Sequence, residues 1–302
     1  MKLGLVSAIL DGWDLEGMLA EAKAAGYSCV EVACWPAGKA ERRYAGVSHI
    51  DVCNTSEEYI RRVKDLFARY GLTISALAFY PNPLDPEKGP AAVEHLYHVI
   101  EMSALLGVNL VTTFIGRDQT ETVEENLELV KTVWPPVLEY AREKGVRIAI
   151  ENCPMLFGSD QWPGGQNLFT SPANWKKVLE VLPYDNLGIN YDPSHFIWQM
   201  MDYIAPIYQF RDRIFHVHIK DIKLYRDRLN QVGSMAYPLD FMSPKLPGLG
   251  DVDWGRYISA LTDIGYDGPV CVEVEDKAFE GTREKIVNSI RVSRRYIEQF
   301  VL

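Results

Sequence analysis

Short apolar runs alternate with segments of helical period from one end of the chain to the other. The apolar runs fall at 2–7, 28–33, 73–78, 108–114, 146–151, 186–191, 214–219 and 269–274, and their length predicts eight strands. Between and after them, residues 14–25, 56–70, 90–106, 121–144, 172–182, 199–210, 254–264 and 281–300 are polar on one helical face and apolar on the other, which predicts eight helices. Gly26, Gly71, Gly107, Gly145 and Gly265 each follow a helical stretch and precede a strand, as a left-handed helix stop does. Ser56, Thr120, Ser171 and Asp253 are the expected N-caps, and Ser171 is followed by Pro172, a proline suited to a first turn.

Eight β-then-α units without a compositional break predict an α/β fold, a single closed (β/α)8 TIM barrel over residues 1–302. An open doubly wound sheet would carry a Gly-rich nucleotide turn after an early strand, and none is present. Two loops are oversized, 152–171 (with Gly158, Pro163, Gly164 and Gly165) and 221–253. Both leave the carboxyl ends of strands, where a barrel builds its active site, so both are expected to cover it.

Composition narrows the class. With 47% hydrophobic and 24% charged residues the chain is an ordinary globular one rather than a disordered one. Its net charge of −10 repels a phosphate backbone, so no nucleic-acid partner is expected. The five cysteines (29, 34, 53, 153 and 271) are odd in number and form no CxxC pair, which reads as reduced thiols rather than disulfides or a zinc knuckle. Cys29, Cys153 and Cys271 sit in apolar runs and are expected to pack. The first residues enter a strand without a secretory apolar region, and no run of about 18 apolar residues exists, so a cytoplasmic protein without a membrane partner is expected.

The candidate chemistry lies at the ends of four successive strands. The fifth ends Ile150-Glu151-Asn152, the sixth Tyr191-Asp192-Pro193-Ser194-His195, the seventh His216-Val217-His218-Ile219-Lys220-Asp221, and the eighth Val272-Glu273-Val274-Glu275. In a barrel these converge at one mouth. Three carboxylates and an imidazole suit a hard divalent cation such as Mn²⁺, Mg²⁺ or Co²⁺, whereas Zn²⁺ more often recruits a second His or a Cys. Strand parity leaves His216, His218 and Lys220 on one side of their strand, and Glu273 and Glu275 on one side of theirs, so spacing does not choose between them. Glu31 is a lone charge in an apolar strand, placed to orient the site or to meet substrate. Trp13, Trp35, Phe79, Phe114 and Trp162 follow strands or lie in long loops, where ordinary packing competes with stacking on a sugar. Arg226, Arg228 and Lys245 in the long loop are candidate anion contacts, but no Gly-rich phosphate cradle follows the last two strands, which favours a non-phosphorylated substrate.

On Ile150-Glu151-Asn152, Asp192-Pro193-Ser194-His195, the 216–221 segment, Leu246-Pro247-Gly248-Leu249-Gly250-Asp251-Val252-Asp253-Trp254 and Gly265-Tyr266-Asp267-Gly268-Pro269, the chain resembles the xylose-isomerase-like TIM barrels over essentially its whole length. That family includes ketose 3-epimerases, hydroxypyruvate isomerases, inosose dehydratases and endonuclease IV. The resemblance implies Glu151, Asp192, His218 and Glu273 as metal ligands, Mn²⁺ first, with Glu151 and Glu273 also catalytic. It leaves His216 and Glu275 as neighbours that orient the ligands or face substrate, and by position His195, Lys220, Asn152 and Glu31 are the further candidates for those roles. The endonuclease branch is not matched, because the fourth strand ends Thr113-Phe114-Ile115-Gly116 without a His and no Asp-x-His pair follows His218.

The activity so implied is a sugar isomerase or epimerase. Glu151 and Glu273 would move a proton α to a carbonyl through a metal-stabilised enediolate. The alternative is a lyase, an inosose-type dehydratase or a 3-keto-glycoside β-eliminase, with Lys220, Asp221 or His195 protonating the leaving oxygen. A non-catalytic sugar-binding subunit is the reading outside enzymes. The expected partners are a small sugar or cyclitol and further copies of the chain in a homodimer or homotetramer, as in the family.

Overall fold

The computed structural model describes residues 1–36, 38, 44–155 and 164–301. Eight parallel strands close into a barrel: β1 (Lys2–Val6), β2 (Cys29–Ala33), β3 (Thr73–Ala78), β4 (Leu110–Thr113), β5 (Arg147–Glu151), β6 (Leu187–Tyr191), β7 (Ile214–Ile219) and β10 (Pro269–Val272). Closure is made by β1 against β10, with Gly4 opposite Cys271. That pairing excludes the open sheet and makes the (β/α)8 barrel of the sequence reading. Gly4 is required inside it, because a Cβ there would stand 2.5 Å from the Cys271 Sγ and 2.7 Å from the Cys29 Sγ. Both thiols are buried, as expected, while Cys153 is half-buried.

The helices that follow the strands are α1 (Leu15–Ala25), α2 (Glu57–Tyr70), α3 (Gly89–Leu106), α4 (Val123–Glu143), α5 (Pro172–Val181), α6 (Ser194–Trp198), α7 (Ala205–Gln209), α9 (Trp254–Asp263) and α10 (Arg283–Ile297). Ser56, Ser171 and Asp253 cap their helices through their side chains. Helix α4 is capped by Thr122 rather than Thr120, since Glu125 three residues on completes a reciprocal capping box. Thr120 instead bonds Asp118. Among the described residues, no helix is long and apolar enough to cross a membrane.

Two stretches depart from the sequence pattern. Of the helix expected over 199–210 only Ala205–Gln209, α7, forms, and a separate short helix, α6, precedes the span at Ser194–Trp198. Met200 takes a positive φ of 58° after α6, and α7 restarts with Pro206 in its first turn. The 221–253 stretch is not a bare loop. It begins with β8 (Asp221–Leu224), which pairs antiparallel with β9 (Met242–Lys245), and α8 (Arg226–Val232) lies between them. Asp221 pins this arm to the barrel. Its carboxylate accepts hydrogen bonds from the amides of Ile222 (2.8 Å), Gly248 (2.9 Å) and Val252 (3.1 Å) and from Trp254 Nε1 (3.0 Å).

Candidate metal centre and active site

Four neighbouring strands, β5, β6, β7 and β10, deliver the four candidate ligands to the carboxyl mouth of the barrel. Glu151 is the last residue of β5, Asp192 follows β6, His218 is the fifth residue of β7 and Glu273 follows β10. One atom from each lies within 4.8 Å of all the others. His218 Nδ1 stands 3.5 Å from Glu151 Oε1 and 3.1 Å from Glu273 Oε2. Only Glu273 keeps some exposure, 15% of its side chain, so the centre opens to solvent on that side.

The buried polar atoms of these four residues test whether a cation fits. Glu151 Oε1, Asp192 Oδ2, His218 Nδ1 and Glu273 Oε2 are all buried without a hydrogen-bond partner. Orphaned buried polar atoms are costly, and four converging on one point could serve as the donor set of a divalent cation. The other atoms of these groups are used to aim them. Asp192 Oδ1 accepts from the Ser194 amide at 2.7 Å. His218 Nε2 donates to Glu31 Oε2 at 2.7 Å, which leaves Nδ1 as the free lone pair.

The remaining predicted residues fall into two groups. Beneath the centre, Glu31 and His216 are fully buried. Glu31 Oε1 accepts from Tyr80 Oη (2.6 Å) and Thr112 Oγ1 (3.0 Å), and its Oε2 also lies 3.4 Å from His216 Nδ1. His216 Nδ1 is 2.9 Å from Asn190 Oδ1, and Asn190 Nδ2 is 3.0 Å from His218 Nε2. Asn152 reaches both polar groups of the Asp192 backbone, donating to its carbonyl and accepting from its amide, each at 2.8 Å. These three therefore touch ligands or one another. At the mouth, His195 Nε2 stands 3.2 Å from Asp192 Oδ2 and 3.8 Å from Glu151 Oε1. Lys220 is buried, with Nζ 3.5 Å from Glu273 Oε1 and 2.8 Å from Glu275 Oε2.

Charge is divided unevenly across the site. Burial and the neighbouring Glu273 charge hold the Glu151 carboxyl above its ordinary range. Burial would raise Glu273 too, but Lys220 and His218 beside it hold it down to about 2. Burial works against the Lys220 ammonium, yet Glu273 and Glu275 keep it charged, with its pKa well above the usual lysine value. Burial lowers His216 to about 4 despite Glu31 beside it, so His216 stays neutral. For Glu31 the two histidines outweigh burial and lower its pKa, which keeps it an anion.

Tyr80, Thr112 and Asn190 were not singled out in the sequence. Asn190 carried a signal, since it lies two residues before Asp192 and shares its strand face. Tyr80 and Thr112 meet Glu31 only through barrel closure. Of the aromatics, Trp35 packs edge-on against Phe79 and Phe114 against Tyr80, while Trp13 lies under Arg283. Trp162 falls outside the described residues, as do Gly158 and Pro163. In the arm, Arg228 covers Tyr225 and Lys245 stands 3.5 Å from Asp276.

Comparison with known proteins agrees with this architecture. The uncharacterized protein YfiH of Bacillus subtilis is 26% identical, with 91% of this chain aligned to 93% of that one. An inosose dehydratase of Clostridium tetani is 22% identical over 61% of this chain and 60% of its own. A ketose 3-epimerase of Arthrobacter globiformis is 24% identical over 71% and 68%. Among solved structures, a xylose isomerase domain protein from Alicyclobacillus acidocaldarius superposes with a TM-score of 0.74 at 20% identity, covering all of this chain and 98% of that one. The model of the xylose isomerase-like TIM barrel family matches residues 19–296, nearly the whole barrel, and the chain belongs to that family.

Proposed function

We propose that the chain is a divalent-metal-dependent sugar isomerase or epimerase. The observation that carries this reading is the convergence of four orphaned ligand atoms with a glutamate at each end of their arc, Glu151 on β5 and Glu273 beyond β10. Glu151, Asp192, His218 and Glu273 would hold the cation, and their oxygen-rich set suits Mn²⁺, Mg²⁺ or Co²⁺ better than Zn²⁺. Bound there, the cation supplies Lewis-acid stabilisation of charge developing on a substrate carbonyl oxygen.

The residues themselves move the proton. Glu273, kept ionised by Lys220, takes the proton from the carbon beside the carbonyl. Glu151, whose pKa burial and the Glu273 charge raise, returns a proton from the other end of the arc. Return to the opposite face of the same carbon is epimerisation, and return to the neighbouring carbon is isomerisation. His195 and Lys220 at the mouth meet the hydroxyls of a small sugar or cyclitol. Glu31, His216 and Asn152 act from behind the ligands, and the active form is a homodimer or homotetramer.

A second reading is favoured by Lys220. A buried ammonium beside Glu273 is positioned to protonate a leaving oxygen, which would make the reaction a dehydration or β-elimination. Proton NMR in D₂O on the Mn²⁺-loaded protein separates the two, with free ketoses, inososes and 3-keto-glycosides in separate tubes. Deuterium entering beside the carbonyl with all substituents retained supports the isomerase. A dehydrated or aglycone-free product supports the lyase. No exchange and no product with any class leaves only a sugar-binding protein and overturns both.

A further inference from the structure

Beside the four-residue centre lies a second compact donor set. Cys153 follows β5 by two residues, Glu151 ends that strand, and His195 projects from α6. One ligand atom each of Cys153, His195 and Glu151 lies within 4.8 Å of the other two, and His195 Nε2 stands 3.8 Å from Glu151 Oε1. His195 Nε2 is buried with Asp192 Oδ2 3.2 Å away, and Glu151 Oε1 is buried without a hydrogen-bond partner. Among the described residues the Cys153 sulfur accepts a long 3.4 Å contact from the Met155 amide, and the residue is half-buried. The trio Glu31, His216 and His218 is as tight, but its atoms are already bonded to one another and to Asn190, which leaves no coordination to offer.

We propose that Cys153, His195 and Glu151 form a second cation position, one that takes thiophilic ions of the Zn²⁺, Cd²⁺ and Co²⁺ class. A thiolate, an imidazole and a carboxylate are the mixed donors such ions prefer, and three protein ligands leave a fourth place for water. With bonds of about 2.3 Å to sulfur and about 2.0 Å to nitrogen, one ion sits between the three donors as they draw in around it. Binding releases the thiol proton to solvent. It also replaces the 3.2 Å contact between His195 Nε2 and Asp192 Oδ2. Because Glu151 Oε1 belongs to both donor sets, a soft ion here draws on the carboxylate that the first centre uses. The position therefore links soft-metal exposure to the main site, and it does not depend on which reaction that site performs.

The test is a titration of the full-length, Mn²⁺-loaded protein with Cd²⁺, read by the ultraviolet thiolate-to-cadmium charge-transfer band. The expected band saturates near one added equivalent. Cys153→Ser and Cys153→Ala abolish it, and His195→Gln weakens the affinity by about tenfold or more. Asp192→Asn, which removes a ligand of the first centre alone, keeps it. Mn²⁺ binding followed by electron paramagnetic resonance reports the first centre separately, so failure of one site is not mistaken for failure of the other. No thiolate band in the wild type, or a band that survives both Cys153 substitutions, overturns the proposal.

Discussion

Glu31 Oε2 accepts a hydrogen bond from His218 Nε2 at 2.7 Å, and this contact decides which imidazole nitrogen faces the candidate metal centre. The carboxylate is fully buried, fixed on its other oxygen by Tyr80 and Thr112, and kept anionic by the two histidines. A buried acceptor holds the proton on Nε2, so the Nδ1 lone pair is turned toward Glu151, Asp192 and Glu273. Glu31→Ala is expected to weaken Mn²⁺ binding by about 10–100-fold, with Glu31→Gln intermediate. Nitrogen-15 NMR of His218 in the metal-free protein checks the cause, at a pH high enough to remove the second ring proton that Glu31 and Glu151 help to hold against burial. The wild type should show the Nε2–H tautomer, and Glu31→Ala a mixture. An unchanged tautomer with lost affinity would assign Glu31 a packing role instead.

Removing the metal should abolish turnover, and Mn²⁺ or Co²⁺ should restore it. It should also lower thermal stability, because four buried donor atoms lose their partner. At 100 times its dissociation constant a cation adds about 2.7 kcal/mol to the folded state, which a thermal melt with and without Mn²⁺ resolves. Full activity in verified metal-free protein would remove the centre from the reaction.

Glu151→Gln and Glu273→Gln should each lower solvent deuterium exchange by about 100-fold or more, since each removes one proton-transfer group. Mn²⁺ affinity measured beside exchange separates lost ligation from lost proton transfer. Wild-type exchange in both variants would end the two-base mechanism.

Asp221 is a structural carboxylate in this fold. It accepts four hydrogen bonds that tie β8 to the 248–254 turn and Trp254. Asp221→Ala is expected to cost about 3–5 kcal/mol in urea unfolding, because buried N–H groups lose their acceptor. A variant with wild-type stability and abolished elimination activity would instead make Asp221 the acid of the lyase reading.

His49 links acidity to stability away from the metal centre. Its Nε2 donates to the Leu10 carbonyl (3.2 Å) and its Nδ1 accepts from Ser7 Oγ (3.0 Å), whose oxygen in turn accepts from the Ala33 amide (2.8 Å). Burial lowers its pKa despite the Leu10 carbonyl, so the unfolded chain takes up the proton first. The stability it contributes is complete above the ordinary histidine value of about 6.5 and falls as pH drops below it toward the folded value. Denaturation midpoints at pH 7.5 and 5 should differ less in His49→Gln than in the wild type. An equal difference would refute the linkage.

Local pattern determined much of this protein. Apolar runs and amphipathic segments mark strands and helices because each element must bury one face, and that need is written in neighbouring residues. Eight such units imply a barrel, and a barrel places Glu151, Asp192 and Glu273 at one mouth before any coordinate is known. Caps such as Ser56 and Asp253 were legible for the same local reason. The 199–210 pattern misled because periodicity does not register a positive φ at Met200. Only the tertiary structure decided the rest. Residues of equal parity differ in height along the barrel axis, so closure brought His218 into the four-atom group and left His216 in the layer below with Asn190. The choice of free atom on each ligand depends on partners distant in sequence. Glu31 is 187 residues from His218, and Asn152 is 40 from Asp192. Asp221 looked like chemistry in the sequence and became an anchor once the chain folded back to set Gly248, Val252 and Trp254 around it, a contact between residues about thirty positions apart that no local period encodes.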